Sequence, residues 1–180
     1  MGKRVFKREV SEVLRRIYFW DIFKYEDLCH HLEGKIINKH KGILGFCPFF
    51  GCGAGWYPLI IKTARFLEKL SKTFLIEVRC HQIKQKYGGL RIYFSTRKKD
   101  IFSVRKKGIF TPFFRLLKKV ISVWQSTGEK KAFSATLLIE EESTRICEVC
   151  GEEGELCRTD TGWLITLCRE CRKRMGAEKV

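Results

Sequence analysis

The chain has 180 residues, 44% of them apolar, and carries 36 Lys and Arg against 20 Asp and Glu, a formal net charge of +16. That length suits one main domain with a small appendage, and the apolar share is enough for a core. The charge favours an acidic partner, most often nucleic acid, and no apolar run approaches the length of a membrane span, which excludes a helical integral membrane protein. Nine cysteines would fit a secreted disulfide scaffold. Against that, the chain opens Met1, Gly2, Lys3, Arg4 with no apolar signal segment, and four cysteines stand in metal-ligand spacing. A reducing, cytoplasmic setting is therefore expected.

Val10, Val13, Leu14 and Ile17 recur at helical spacing among charged residues. They predict an amphipathic helix over residues 8–24, with Lys7, Arg8, Arg15 and Arg16 on a solvated basic face and the aromatic residues Tyr18, Phe19, Trp20 and Phe23 at its end. Cys29, His30, His31, His40, Cys47 and Cys52 follow. A second metal site drawn from His31, His40, Cys47 and Cys52 matches no standard spacing. Packed cysteines and surface or capping histidines are the expectation. Residues 42–55 hold five glycines and read as an irregular loop, without the spacing of a phosphate cradle.

Trp56, Leu59, Ile60, Leu67 and Leu70 fit one face of a helix over residues 57–71, with Pro58 in its first turn. A β-hairpin is expected next. Phe74, Ile76, Val78 and Cys80 alternate on one face, and Leu90, Ile92 and Phe94 resume the alternation after a connection holding Tyr87, Gly88 and Gly89. Arg79, His81, Lys84, Lys86, Arg91 and Tyr93 then form a basic surface on which Tyr93 or Tyr87 could stack on a base. From residue 97 to 119 there are nine basic residues and one acid. Arg97, Lys98, Lys99, Arg105, Lys106 and Lys107 are expected in an exposed basic insertion over about residues 97–112. Phe113, Leu117, Val120, Ile121 and Trp124 predict a helix whose apolar stripe is core. The pattern breaks near residues 126–131 and resumes from Ala132 to Glu142.

The last quarter carries the sharpest signal. Cys147 and Cys150, followed by Gly151, and then Cys168 and Cys171 form two CxxC pairs with 17 residues between them. Each pair offers two thiolates from one tight turn, and four thiolates complete a tetrahedron, so a closed structural Zn²⁺ site is expected. Cys157 has no nearby CxxC partner and reads as a small buried hydrophobe. A knuckle, a hairpin and a ligand-bearing short helix make a treble-clef-like module, with a ribbon-like one as the runner-up. The fold class expected is α+β, a small antiparallel hairpin or sheet packed with helices. Its basic body spans residues 1–146 and its zinc module residues 147–180. The body holds 30 Lys and Arg against 13 Asp and Glu, and the tail 6 against 7, so most electrostatic attraction belongs to the body.

Gly55-Trp56-Tyr57-Pro58-Leu59-Ile60, then Lys84-Gln85-Lys86-Tyr87-Gly88-Gly89-Leu90-Arg91-Ile92-Tyr93, then the cysteine pairs, together resemble a family of small uncharacterised bacteriophage and prophage proteins. The resemblance covers roughly residues 53–96 and 143–172 and implies a phage or host setting, that is, a bacterial cytoplasm. It carries over no activity. Clustered acids of the kind nucleic-acid hydrolysis needs are missing from the body, and no HExxH or GxSxG pattern occurs, so the expectation is a binding protein and not an enzyme. Nucleic acid, DNA or RNA, is the expected partner. The competing expectation is a factor that binds or inhibits a host enzyme.

Overall fold

A computed structural model of the chain describes residues 11–19, 21–100 and 112–180. The fold is α+β. Helix α1 (residues 11–19) is followed by α2 (Ile22–Lys39) and α3 (Lys41–Leu44). A short strand β1 (Phe50–Gly51) and a 3₁₀ turn (Ala54–Trp56) lead into α4 (Tyr57–Phe74). The hairpin β2 (Ile76–Lys86) and β3 (Gly89–Lys98) precedes the long helix α5 (Pro112–Ser143). The tail holds β4 (Glu155–Arg158), β5 (Leu164–Leu167), α6 (Arg169–Met175) and β6 (Glu178–Lys179).

The first sheet has the order β1-β2-β3, with β1 parallel and β3 antiparallel to β2. Helix α4 buries Leu59, Ile60, Thr63, Ala64, Leu67, Leu70 and Phe74, the i, i+3, i+4 stripe of a core-facing helix. Phe74 thus ends a helix and does not begin the strand. Leu75 takes a left-handed cap at φ 53°, and the strand starts at Ile76. On β2 the buried positions are Ile76, Val78 and Cys80, and then, past an irregularity between Cys80 and Gln82, Ile83. That one extra residue is a β-bulge. It returns Ile83 to the core and puts Arg79 and Lys84 on the same outer face. Strict alternation would have separated them.

The hairpin closes through Tyr87 (φ 54°) and Gly88 (φ 76°), with Lys86 paired to Gly89. Two positive-φ residues in a two-residue loop meet the requirement of a type I′ turn. The positive φ falls on Tyr87 and Gly88, not on Gly88 and Gly89.

Two helices replace the single one expected over residues 8–24. Helix α2 has Asp21 as its N-cap, whose carboxylate accepts from the Lys24 N–H at 3.0 Å, and it buries Tyr25, Cys29, Glu33 and Ile36. Residues 1–10 and Trp20 lie outside the described residues. Helix α5 does not break near residue 128. Gly128 is buried, and a Cβ there would lie 2.4 Å from Cβ of Phe74, so this glycine marks the crossing of α5 over α4. Ala132, Thr136 and Ile139 are buried on the inner side of α5, while Val120 and Trp124 are more than half exposed. The expected Val120–Trp124 core stripe is therefore corrected. Among the described residues, no helix is long and apolar enough to cross a membrane.

Candidate metal centre

Cys147 and Cys150 sit on a tight turn closed by the Gly151 N–H to the Cys147 carbonyl at 2.8 Å, with Gly151 at φ 79°. The β4–β5 hairpin follows and brings the chain back to Cys168. Cys168 caps the N-terminus of α6, and its sulfur accepts from the Cys171 N–H at 3.4 Å. The four sulfurs lie within 4.8 Å of one another and all four residues are buried. Cys150 Sγ stands 3.8 Å from both Cys168 Sγ and Cys171 Sγ. Sulfurs bonded to one ion at about 2.3 Å stand about 3.8 Å apart along the edges of a tetrahedron. A disulfide would bring two of them to about 2 Å. All nine cysteines are unpaired. The cluster thus fits a metal ion by both chemistry and spacing.

Among the described residues, this is the one group whose His, Cys, Asp or Glu atoms gather closely enough for an ion. Cys157 is buried outside it, with its sulfur donating to the Glu155 carbonyl at 3.3 Å. The alternative site does not assemble. His31 is exposed on α2, and His40 is buried between α2 and α3 with Nδ1 3.0 Å from Glu68 Oε1. Cys47 is buried with its sulfur donating to the Phe49 carbonyl at 3.2 Å. His40 thus takes the capping role expected for these histidines, at the end of α2 and the start of α3, but it is buried and paired rather than on the surface.

The cluster is tied to the body through backbone groups. The Gly55 N–H donates to the Glu148 carbonyl at 2.9 Å, and Trp56 Nε1 donates to the Ile146 carbonyl at 2.7 Å. The Tyr25 hydroxyl accepts from the Ala54 N–H at 2.9 Å and donates to the Val149 carbonyl at 3.3 Å. At the hairpin tip, the Thr166 hydroxyl donates to the Gly88 carbonyl at 2.6 Å. Burial pushes the Glu148 carboxyl up to about 7, against the lowering effect of the Gly53 N–H that it accepts at 3.1 Å.

Sequence reasoning passed over one contributor, Arg15. Expected on a solvated helix face, it instead donates to Cys150 Sγ at 3.7 Å and to Glu170 at 2.5 Å, with only 14% of its side chain exposed. Burial opposes its charge, but the hydrogen bond to Cys150 and the nearby Cys168 and Glu170 raise it above the ordinary arginine range. A cation here offsets the net negative charge of four thiolates around a divalent ion. Replacing Arg15 by Leu is expected to lower metal affinity by roughly tenfold or more, read by competition with a chelator. Unchanged competition would show that the contact is incidental.

The other expected site residues divide by position. Arg79, Lys84, Lys86, Arg91, Tyr93 and Arg97 share the outer face of the hairpin, the side away from Ile76, Val78, Ile83, Leu90 and Ile92. Arg79 is ion-paired with Glu77. Arg91 is paired with Glu140 of α5 at 3.1 Å. Lys84 lies 5.2 Å from the centre of the Tyr93 ring, and Lys86 lies 5.3 Å from that of Tyr87. Lys98 leaves this face. It belongs to β3 and not to a loop, and its ammonium bonds Ser122 Oγ at 3.1 Å and Ser126 Oγ at 2.7 Å on α5. Lys99 is exposed just past the strand, its N–H donating to the Leu75 carbonyl at 3.0 Å. Arg105, Lys106 and Lys107 lie outside the described residues. Set beside protein-family models, curated proteins and solved structures, the chain matches none of them.

Proposed function

We propose that the chain is a zinc-stabilised nucleic-acid-binding protein, with Zn²⁺ held by Cys147, Cys150, Cys168 and Cys171 and nucleic acid bound on the outer face of the β1–β3 sheet. Zinc suits the four-thiolate donor set, which it binds tetrahedrally with no position left open, so the ion supplies cross-linking of the chain and no chemistry on a substrate. The observation that carries the nucleic-acid reading is the composition of the outer sheet face. Lys84, Lys86 and Arg97 make no ion pair among the described residues; Lys84 lies beside the exposed ring of Tyr93 and Lys86 beside that of Tyr87, while Arg97 stands further along the same face, opposite Glu77. Cations spaced along a strand pair suit phosphates, and exposed rings between them offer planes for unstacked bases. Bases inside a duplex present no face to such rings, so single strands are the favoured ligand.

The test is a titration of nuclease-treated protein against labelled single-stranded DNA, RNA and duplex over a series of salt concentrations. Replacing Lys84, Lys86 and Arg97 together by Gln should leave the Tm nearly unchanged, because unpaired surface charges contribute little to stability. It should flatten the slope of log affinity against log salt by roughly 2, since each lost phosphate contact removes about 0.7 from the slope on a single strand. Tyr93→Ala should weaken binding by about 1–3 kcal/mol with the slope unchanged. No binding to any of the three nucleic acids at low salt would refute the reading.

A further inference from the structure

The outer sheet face carries a concavity at the end away from the hairpin tip. It measures about 110 Å³ and is lined by Glu77, Arg79, Ser95 and Arg97. Strand register builds it. Arg79 stands opposite Ser95, and Glu77 opposite Arg97. Four side chains thus occupy two neighbouring rows of one face, with the Cβ atoms of each cross-strand pair about 5 Å apart. The bulge after Cys80 adds a fifth group. His81 is exposed and has no partner in the ladder, and its ring reaches across to Ser95, with Nε2 2.7 Å from Oγ.

These groups are arranged for an oxyanion. The Arg79 guanidinium is fixed on two sides before any ligand arrives. Its carbon lies 4.7 Å from the centre of the Phe46 ring, and its Nε donates to Glu77 Oε1 at 2.6 Å, with Nη2 on the same oxygen. One edge of the guanidinium is thus engaged, and the Nη1 group remains. Arg97 is exposed and makes no ion pair among the described residues. Ser95 adds a hydroxyl. Planar guanidinium groups match the geometry of phosphate oxygens.

Glu77 decides which phosphate. Both of its contacts with Arg79 fall on Oε1, which leaves Oε2 as an acceptor on the wall of the pocket. A carboxylate opposes an anion that has nothing to donate, such as a phosphodiester or a sulfate ester. A phosphate monoester has a second pKa of about 6, so it can keep one proton and donate it to Oε2. The formal charges of Arg79, Arg97 and Glu77 sum to +1, which a singly protonated monoester balances.

We infer that this pocket binds a phosphate monoester, the phosphorylated end of the single strand held by the sheet face. The choice of carrier rests on the nucleic-acid reading of that face. Phosphates inside a strand are diesters, so only an end presents the group. Tyr93 lies two residues before Ser95 on β3, roughly 7 Å along the strand, the reach from a base to the phosphate of its own nucleotide. A base stacked on Tyr93 places its end phosphate in the pocket. Lys84 and Lys86, nearer the hairpin tip, meet the diesters that follow.

Two titrations of the full, nuclease-treated, metal-loaded chain at pH 6 test this. In the first, phenyl phosphate is compared with phenyl sulfate, which has a similar shape and no proton to give. The readout is the NMR shift of the Arg79 and Arg97 Nε–H groups. Phenyl phosphate should shift both and bind about tenfold tighter than phenyl sulfate, the worth of one hydrogen bond to a charged group. Glu77→Gln should bring the two ligands to similar affinity, because an amide can donate to either. In the second titration, one single-stranded sequence carries a 5′-phosphate, a 3′-phosphate or neither. One phosphorylated form should bind about tenfold tighter than the hydroxyl-ended strand. Ser95→Ala should remove most of that preference and leave the hydroxyl-ended strand bound as by the parent. Equal binding of phenyl phosphate and phenyl sulfate to the parent overturns the inference, and so does the absence of a shift at either arginine. Strands that bind equally whatever their ends overturn it too, and leave the reading of the sheet face standing. If no strand binds while phenyl phosphate is still preferred to phenyl sulfate, the reading of the sheet face fails, and the strand is overturned as carrier in favour of another monoester such as a phosphorylated peptide.

Discussion

Replacing Cys168 by Ser is expected to abolish stoichiometric zinc binding and to unfold the tail. The parent should carry one zinc per chain, because four thiolates make one complete tetrahedron. Metal binding in small cysteine modules contributes about 10–16 kcal/mol of apparent free energy, against a total stability of about 5–15 kcal/mol for a whole domain. Cys168 also caps α6 through its sulfur, so its loss removes a ligand and weakens the helix that presents Cys171. The damage should reach the body. Trp56 gives its indole N–H to Ile146, Tyr25 its hydroxyl to Val149, and Gly88 its carbonyl to Thr166, so unfolding the tail leaves buried polar groups on the body without partners. Metal analysis and thermal melts of the parent, of Cys168→Ser and of Cys157→Ser would check this. Cys157→Ser should keep one zinc and lose only a buried contact. If Cys168→Ser retains one zinc per chain at the parent's Tm, the four-cysteine site is wrong. Two zincs in the parent would contradict the separate positions of His40 and Cys47.

The cysteine cluster was legible in the sequence because ligand spacing is a local property. Each CxxC pair is one turn, and the intervening residues need only form a hairpin. Helix α4 and the two strands were legible for a similar reason, since the apolar residues of α4 repeat at 3.6, and those of the strands at 2 up to Cys80 on β2 and from Leu90 on β3. Helix α2 was not. Its buried stripe consists of Tyr25, Cys29, Glu33 and Ile36, and a glutamate in that position argues against a core. The stripe works because the Tyr57 hydroxyl donates to Glu33 at 2.6 Å, and only the tertiary structure supplies that partner. The bulge after Cys80 was hidden because periodicity cannot register one inserted residue when polar side chains flank it. The continuity of α5 was hidden by Gly128, which reads as a helix end but sits against Phe74. Arg15 was misplaced for the converse reason. A charge on a helix face is normally solvated, and its partner, Cys150, is far away in the chain.

Gly55→Ala should destabilise the chain by several kcal/mol and weaken metal retention, although Gly55 is not a ligand. A Cβ at residue 55 would lie 2.2 Å from the Cys147 carbonyl oxygen, 2.5 Å from the Gly151 nitrogen and 2.6 Å from the Glu148 carbonyl oxygen. All three are backbone atoms of the turn that presents Cys147 and Cys150, so no flexible side chain can move aside. Gly55 also donates its N–H to Glu148 at 2.9 Å, and the next residue, Trp56, is fully buried with its indole bonded to Ile146. Glycine is needed here for close backbone approach, and the indole beside it fixes the docking. A methyl group must either push the turn away, breaking both hydrogen bonds, or shift Trp56 within the core, and either response costs more than an ordinary surface change. Gly34→Ala is the internal control. It lies within α2, a Cβ there meets nothing within 4 Å, and the change should raise stability by about 0.5–1 kcal/mol through helix propensity. Thermal melts with parallel metal analysis separate the outcomes. If Gly55→Ala melts with the parent and holds its metal as tightly, the body and the cysteine turn are not in backbone contact, and the coupling between fold and metal centre argued from Trp56 and Gly55 fails with it.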